Sequence, residues 1–416
     1  MSSGILIIFA FFIAVSVIQY WLEYINIKNL KIHGNEIPPE FKGLIDSDLL
    51  VKTRNYTIEK NRVGLLSSFV NDIVSIVFFF CGVLAWYSSF IDSFKLNFIT
   101  TGIIFFIILY YFSTIINIPF SLYTNFVIEK KYGFNTQTFK LWISDTLKSL
   151  IIGTIILTIL ISVALGLILF FPDWWWLLVW GFFLIFSLFM MYISPYIIEP
   201  LFNKFIPLDS EEFSEKIKDL SERAGIKVNK VFKMDASKRS KHTNAYFTGI
   251  GKVKKIVLFD TLLEKLSEDE TLAVLAHEAG HWKKKHLLKA LLVFETGALV
   301  FMYLAFMILQ KGYLTDIFQI EASNPFFAEV VIIFFVTGII MFPATPVFCM
   351  FSRKNEREAD DFACNLCGSG EALAGALVKL SKDNLSNLHP HPVYSKFYYS
   401  HPPAVERIKY LKEVRR

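Results

Sequence analysis

The chain reads as a mainly α, seven-span transmembrane protein with a small cytoplasmic α+β unit, and three observations carry that reading. Hydrophobic residues fill 54% and aromatic residues 16% of the 416 positions, with a mean hydropathy of +0.47, too apolar for a water-soluble protein of this length. Apolar runs long enough for a hydrocarbon core, which takes about 20 helical residues, recur seven times. The Lys and Arg residues gather on alternate links between those runs.

The predicted spans are Gly4 to Leu22, Val63 to Ile91, Phe98 to Tyr123, Leu150 to Phe171, Trp174 to Ile197, Leu287 to Leu309 and Phe326 to Phe351. After the first come Lys28, Lys31, Lys42, Lys52, Arg54, Lys60 and Arg62; after the third come Lys130, Lys131, Lys140 and Lys148; the chain beyond Phe351 is basic again. The intervening links "DSFKLN", "PD" and "KGYLTDIFQIEASN" hold one, none and one such residue. Positive links stay cytoplasmic, so the N-terminus is expected outside or in a lumen and the C-terminus in the cytoplasm. That topology suits an endoplasmic reticulum membrane in a eukaryote or the inner membrane in a bacterium. Residues 1–20 hold no Lys or Arg, so the first run lacks the positive flank of a cleavable signal and is expected to remain as a helix.

The expected organisation is spans one to five within 1–198, an α+β unit at 199–286, spans six and seven within 287–351, and a second cytoplasmic segment at 352–416. In the α+β unit, "DSEEFSEKIKDLSERAG" is an amphipathic helix with acids in its first turn and Gly225 as its stop. The runs "KVNKVFKMD", "NAYFTGI" and "KKIVLFD" are strand-like. Ser267 with Glu270 forms a capping box that starts the next helix. The last segment begins helical and ends in the loop-like "HPHPVYSKFYYSHPP". Four cysteines, two of them inside spans, make no disulfide framework, and Cys364 and Cys367 are taken as two small residues of a helix. The net charge of +5 matches basic loops facing anionic lipid; nucleic acid is not expected as a partner.

The capped helix carries "HEAGH". Four residues apart, His277 and His281 project from one helix face, where two imidazoles can hold one Zn²⁺. Glu278 is turned aside, placed to take a proton from a water that the metal has acidified. A catalytic zinc takes a third protein ligand, and Glu356 and Glu358 in "SRKNEREADDFA" are both candidates that spacing does not separate.

"HEAGH" and "SRKNEREAD", with "SKHTNAYFTGI", "YSHPPAVERIKYL", "FVIEKKYGFNTQTF" and "PLFNKFIPL", resemble the integral-membrane type I CAAX prenyl proteases, zinc enzymes that process prenylated C-termini; the matches run from about Phe126 to Leu411. The resemblance implies a zinc metalloendopeptidase with one Zn²⁺ per chain, a peptide or protein substrate lipid-modified at its C-terminus, membrane lipid around it, and a chamber enclosed by the helices. Aligned on the family's E-x-x-A-D element, Glu356 becomes the third ligand. The resemblance further implies that Asn244 and Ala245 open an edge strand along which substrate lies, and that His401 positions substrate or meets the oxyanion. Arg407 is implied to pair with the acids near the metal, and Asp360 to orient a ligand. His286, His389 and His391 are expected not to be ligands. A chamber also accounts for Asn71, Asp72, Asn117 and Glu295, polar groups inside spans.

Two enzyme alternatives share the motif. An HtpX-like quality-control protease has fewer spans, and a site-2 protease carries its motif inside a span with an L-D-G element absent here. A seven-span transporter or receptor would explain the hydropathy and leave the two motifs unexplained.

Overall fold

A computed structural model describes residues 2–248 and 253–413. Seven helices among them are long and apolar enough to cross a membrane: Ser3–His33, Ser47–Phe80, Phe98–Tyr132, Phe139–Phe170, Trp175–Phe202, His286–Leu309 and Phe326–Cys367. Short polar side chains set four of the starts. Ser2, Asp46, Asn97 and Thr138 each accept from the backbone N–H three residues on, satisfying a donor the helix leaves free.

The predicted span Val63 to Ile91 is two helices. The first ends at Phe80, Gly82 adopts a left-handed φ of 82°, and a separate helix runs Val83–Asp92. Glycine takes that conformation at no steric cost, so it ends the helix although the run stays apolar. The seventh crossing is also jointed: Phe326–Met341, a 3-10 turn Phe342–Ala344 and Thr345–Cys367 follow one another around Pro343 and Pro346. The stretch read as a closing loop holds a helix, Pro392–Tyr398. Proline is tolerated in a first helical turn, where its missing N–H has no partner to lose, and the His391 side chain caps the start.

Each membrane helix packs on its neighbours in sequence, and the seventh closes against the first. The arrangement is a ring. In the second, fourth and fifth helices only 6% of the most apolar stretch is buried, so most of their apolar surface is left uncovered by neighbouring helices. The polar groups within the spans have partners in the ring: Tyr20 donates to Asp72 at 2.5 Å, Asn71 to Asn117 at 3.4 Å, and Ser187 to Glu295 at 3.5 Å. At the N-terminal end of the first helix an apolar core of Phe12, Phe80, Leu84, Phe105, Leu165 and Phe327 draws the helices together.

The other end carries the α+β unit. Its sheet has the order β1-β2-β4-β3, with β1 Phe205–Pro207, β2 Lys227–Met234, β3 Ala245–Thr248 and β4 Val253–Phe259. Only β2 and β4 are parallel, and β3 is an edge strand. The helix Glu211–Arg223 buries Phe213, Ile217 and Leu220. The same core takes in Leu275 and Ala276, the C-terminal Ala363, Leu373 and Ile408, and Phe41, Ile45 and Leu50 from the first link, so sheet, C-terminal helices and ring are continuous.

Two tethers fix the chain just before β3. Glu129, at the end of a π-helical turn Thr124–Glu129 that prolongs the third membrane helix, accepts from Tyr56 at 2.8 Å and faces Lys60 at 3.2 Å and His242 at 3.3 Å. Phe134 stacks on His242 with ring centroids 4.2 Å apart. Arg239 grips Asp145 with two hydrogen bonds of 2.8 and 3.0 Å.

Candidate metal centre

The motif helix Glu268–Lys283 starts on the Ser267–Glu270 capping box, with Glu268, Asp269 and Glu270 in the first turn where the helix dipole favours acids. It buries a face of small residues and leucine: Ala273, Leu275, Ala276, Ala279 and Gly280. A Cβ at Gly280 would lie 2.9 Å from Ala359 Cα and 3.1 Å from Ala359 O, so the motif helix and Thr345–Cys367 meet backbone to backbone. Only two minimal side chains permit that approach. It carries Glu356 to the two histidines.

Nε2 of His277 and of His281 are 3.2 Å apart; Glu356 Oε2 is 3.4 Å from the former and Oε1 is 3.2 Å from the latter. Ligands bonded tetrahedrally to zinc at 2.0–2.1 Å stand about 3.3 Å from one another, which is the spacing of the two imidazole nitrogens, while Glu356 meets them through different oxygens; one donor atom from each of the three residues lies within 4.8 Å of the other two, close enough to share an ion. Glu356 Oε2 is buried and accepts no directed hydrogen bond, although His401 Nδ1 lies 2.8 Å away, which leaves a lone pair available. Among the described residues this is the group of His, Cys, Asp and Glu side chains close enough to share an ion. Glu358, two residues on, turns to the other side of its helix and meets His286.

The remaining ring nitrogen of His277 has a fixed role. Nδ1 lies 2.8 Å from Asp360 Oδ1, and since a carboxylate only accepts, that nitrogen carries the proton and Nε2 is free for metal. Asp360 in turn takes two hydrogen bonds from Arg407, of 2.6 and 3.0 Å, and all three side chains are buried. Burial alone would lower the imidazole pKa; Asp360 and Glu356 outweigh it and raise it to about 8. Burial also pushes the Glu278 carboxyl above its ordinary range, against the pull of His277 and His281. A carboxyl so raised is better matched to proton transfer near neutral pH.

The centre opens on one side. His401, 63% exposed, stands there on the "SHPP" loop, which Arg353 ties to the ligand helix by donating to Tyr399 O at 2.6 Å. Arg407 follows on the helix Ala404–Glu413, so one short segment supplies both. Asn244 and Ala245 stand where β3 begins, and β3 packs on the motif helix. Asn244 is exposed; its Oδ1 accepts from Ala245 N at 2.9 Å and its carbonyl from Phe259 N at 3.1 Å. The far side of β3 carries no strand among the described residues, and Gly249 and Ile250 of "NAYFTGI" lie outside them.

The other histidines separate. His389 bonds Glu36 O at 2.7 Å and His391 caps a helix. His286 sits against His281, with Nδ1 3.1 Å from Nδ1. Spacing hid that contact, because a five-residue separation on one continuous helix puts side chains on different faces. Here the motif helix stops and Lys285, at a left-handed φ of 56°, folds the next helix back.

Two family profiles span the chain. One, described as the CAAX prenyl protease N-terminal domain of five membrane helices, matches residues 26–204; the other, peptidase family M48, matches residues 207–415. The CAAX prenyl protease 1 homolog of Arabidopsis thaliana is 33% identical, the alignment covering 96% of this chain and 95% of that protein. CAAX prenyl protease 1 of Saccharomyces cerevisiae is 33% identical over 98% and 95%, and the human homolog is 31% identical over 96% and 94%. The crystal structure of S. mikatae Ste24p superposes with a TM-score of 0.91 at 31% identity, covering 99% of each chain.

Proposed function

The chain belongs to peptidase family M48, with the CAAX prenyl protease N-terminal domain ahead of the peptidase domain, and on that premise we propose that it cleaves prenylated CAAX-type C-termini with one zinc ion held by His277, His281 and Glu356. It is a multi-pass membrane metalloprotease that hydrolyses peptide bonds of peptide or protein substrates. The observation that carries the ligand reading is the convergence of His277, His281 and Glu356, whose imidazole nitrogens and carboxylate oxygens approach one another at 3.2 to 3.4 Å. The N-terminal profile and the ring of seven helices support prenyl-substrate processing over an HtpX-like quality-control role.

Bound there, zinc would lower the pKa of a water to about 7 and polarise the scissile carbonyl. Glu278 takes the proton as the water oxygen adds to the carbonyl carbon. As the C–N bond breaks, Glu278 returns that proton to the leaving nitrogen, so charge and atoms balance. His401, on the open side, donates to the carbonyl oxygen as charge builds there. The substrate backbone lies along β3, with Asn244 and Ala245 at the end nearest the bond to be cut, and gains main-chain hydrogen bonds. Asp360 and Arg407 hold His277. The basic links support a centre on the cytoplasmic side, with the N-terminus outside or lumenal.

The test compares a farnesylated CAAX peptide with its unprenylated twin, with and without chelator. Chelator-sensitive cleavage that prefers the farnesylated peptide is expected. Equal cleavage of both would remove the prenyl requirement, and cleavage indifferent to chelator would remove the metal.

A further inference from the structure

His281 is the one imidazole of the pair without a carboxylate against its own Nδ1. Its partner there is a second imidazole: His286 Nδ1 lies 3.1 Å from His281 Nδ1, and His286 Nε2 lies 3.2 Å from Glu358 Oε2. His286 is 5% exposed. We propose that Glu358 and His286 form a two-step relay that fixes the orientation and tautomer of His281, as Asp360 and Arg407 do for His277, and that both are positioning residues for the metal centre. The inference rests on the reading of His281 as a ligand.

The proton order follows from donor chemistry. The Glu358 carboxylate only accepts, so His286 Nε2 carries a proton and donates to it. A neutral His286 then offers a lone pair at Nδ1, and His281 must donate from its own Nδ1. That leaves the lone pair of His281 at Nε2, the atom 3.2 Å from both His277 Nε2 and Glu356 Oε1. The reverse order would put the His281 proton at Nε2, facing the other two donors, and would set a bare Nε2 of His286 against a carboxylate. With a metal held between those donors, which needs a lone pair from each, only the first order satisfies every contact.

The backbone is shaped for this contact. Lys285 holds a left-handed φ of 56°, a conformation a side-chain-bearing residue adopts at a cost, and that turn swings His286 over His281. Glu358 reaches it from the helix that also carries Glu356, from the opposite face. One helix therefore serves both histidines of the motif: with Glu356 directly, and with Glu358 through His286.

The measurement is zinc affinity by competition with a chelator on the detergent-solubilised full chain, alongside the melting temperature of the metal-stripped chain. His286→Phe keeps the ring volume and removes the acceptor, and Glu358→Leu removes the far end; each is expected to bind zinc 10–100-fold more weakly. His286→Gln, whose amide oxygen can still accept from His281, is expected to recover most of that loss. The double variant His286→Phe with Glu358→Leu is expected to be no weaker than His286→Phe alone, because both act through one contact. Wild-type zinc affinity in His286→Phe, equal losses in the Phe and Gln variants, or full additivity would overturn the relay. His281→Ala separates the two levels: if it also keeps zinc, the ligand reading itself fails; if it loses zinc while His286→Phe does not, only the relay fails. Should His286→Phe melt early when metal-free, Glu358→Leu, at a side chain 33% exposed, carries the test.

Discussion

Glu278 and Glu356 are both carboxylates beside the same histidines, and their neighbourhoods divide their work. Glu356 has its two oxygens 3.4 and 3.2 Å from His277 and His281 and stands in the candidate ligand group, while burial pushes the Glu278 carboxyl up toward a proton-carrying role. Glu278→Gln is therefore expected to keep metal content and lose about 10²–10⁴-fold in kcat; near-normal turnover with intact zinc would refute the assignment of the base. Glu356→Ala is expected to lose the metal itself, read by elemental analysis of the purified chain. Arg407 poses a stability question: it is 8% exposed and answers Asp360, which is 0% exposed. Removing one partner of a buried pair leaves an uncompensated charge and costs about 3–5 kcal/mol, so Arg407→Leu should lower the unfolding temperature sharply. Arg407→Lys should recover only part, since an ammonium cannot reproduce the two-pronged contact. The residues "HEAGH" were legible from spacing alone because one helix determines their geometry. Glu356 against Glu358 was not, since which face of the second helix meets the first depends on a contact 79 residues away in sequence, Gly280 on Ala359.

At the scale of elements, that crossing holds the site together. A methyl group at position 280 would sit 2.9 Å from backbone, where no rotamer change relieves it, so the two helices must part. Gly280→Ala is expected to destabilise by about 1–3 kcal/mol, as overpacking does, and to weaken zinc binding with every ligand still present. Zinc affinity equal to wild type would show that the helices tolerate a wider spacing. The element pattern itself was largely readable: the capping box, the amphipathic helix before Gly225 and the strands β2 and β4 lie where periodicity put them. Two errors have local causes. Nothing in an apolar run distinguishes a glycine within a membrane helix from one that ends it, so the break at Gly82 was invisible. A proline cluster reads as loop, yet Pro392 starts a helix.

At the scale of the molecule, the ring and the sidedness of its loops decide from which side a peptide substrate reaches the hydrolytic site. The helices close sequentially, seventh on first, and the apolar core around Phe105 and Phe327 draws them together at the end away from the metal centre. The α+β unit sits on the other rim, sharing its core with Phe41, Ile45 and Leu50 of the first link. Composition gave the number of crossings, but closure into a ring is a property of long-range packing that hydropathy does not encode. The rim that carries the metal centre holds Lys52 and Lys412, both exposed, while the opposite links hold little beyond Lys95 and Lys311. If positive loops stay cytoplasmic, single-cysteine reporters made in a background lacking Cys81, Cys349, Cys364 and Cys367 should separate cleanly. In intact cells or right-side-out vesicles, an impermeant thiol reagent is expected to label Lys95→Cys and to spare Lys52→Cys and Lys412→Cys until the membrane is permeabilised. The reverse pattern would put the metal centre on the outer face, and substrates made in the cytoplasm could then reach it only after crossing the membrane, which would dismiss a prenylated cytoplasmic C-terminus as the substrate.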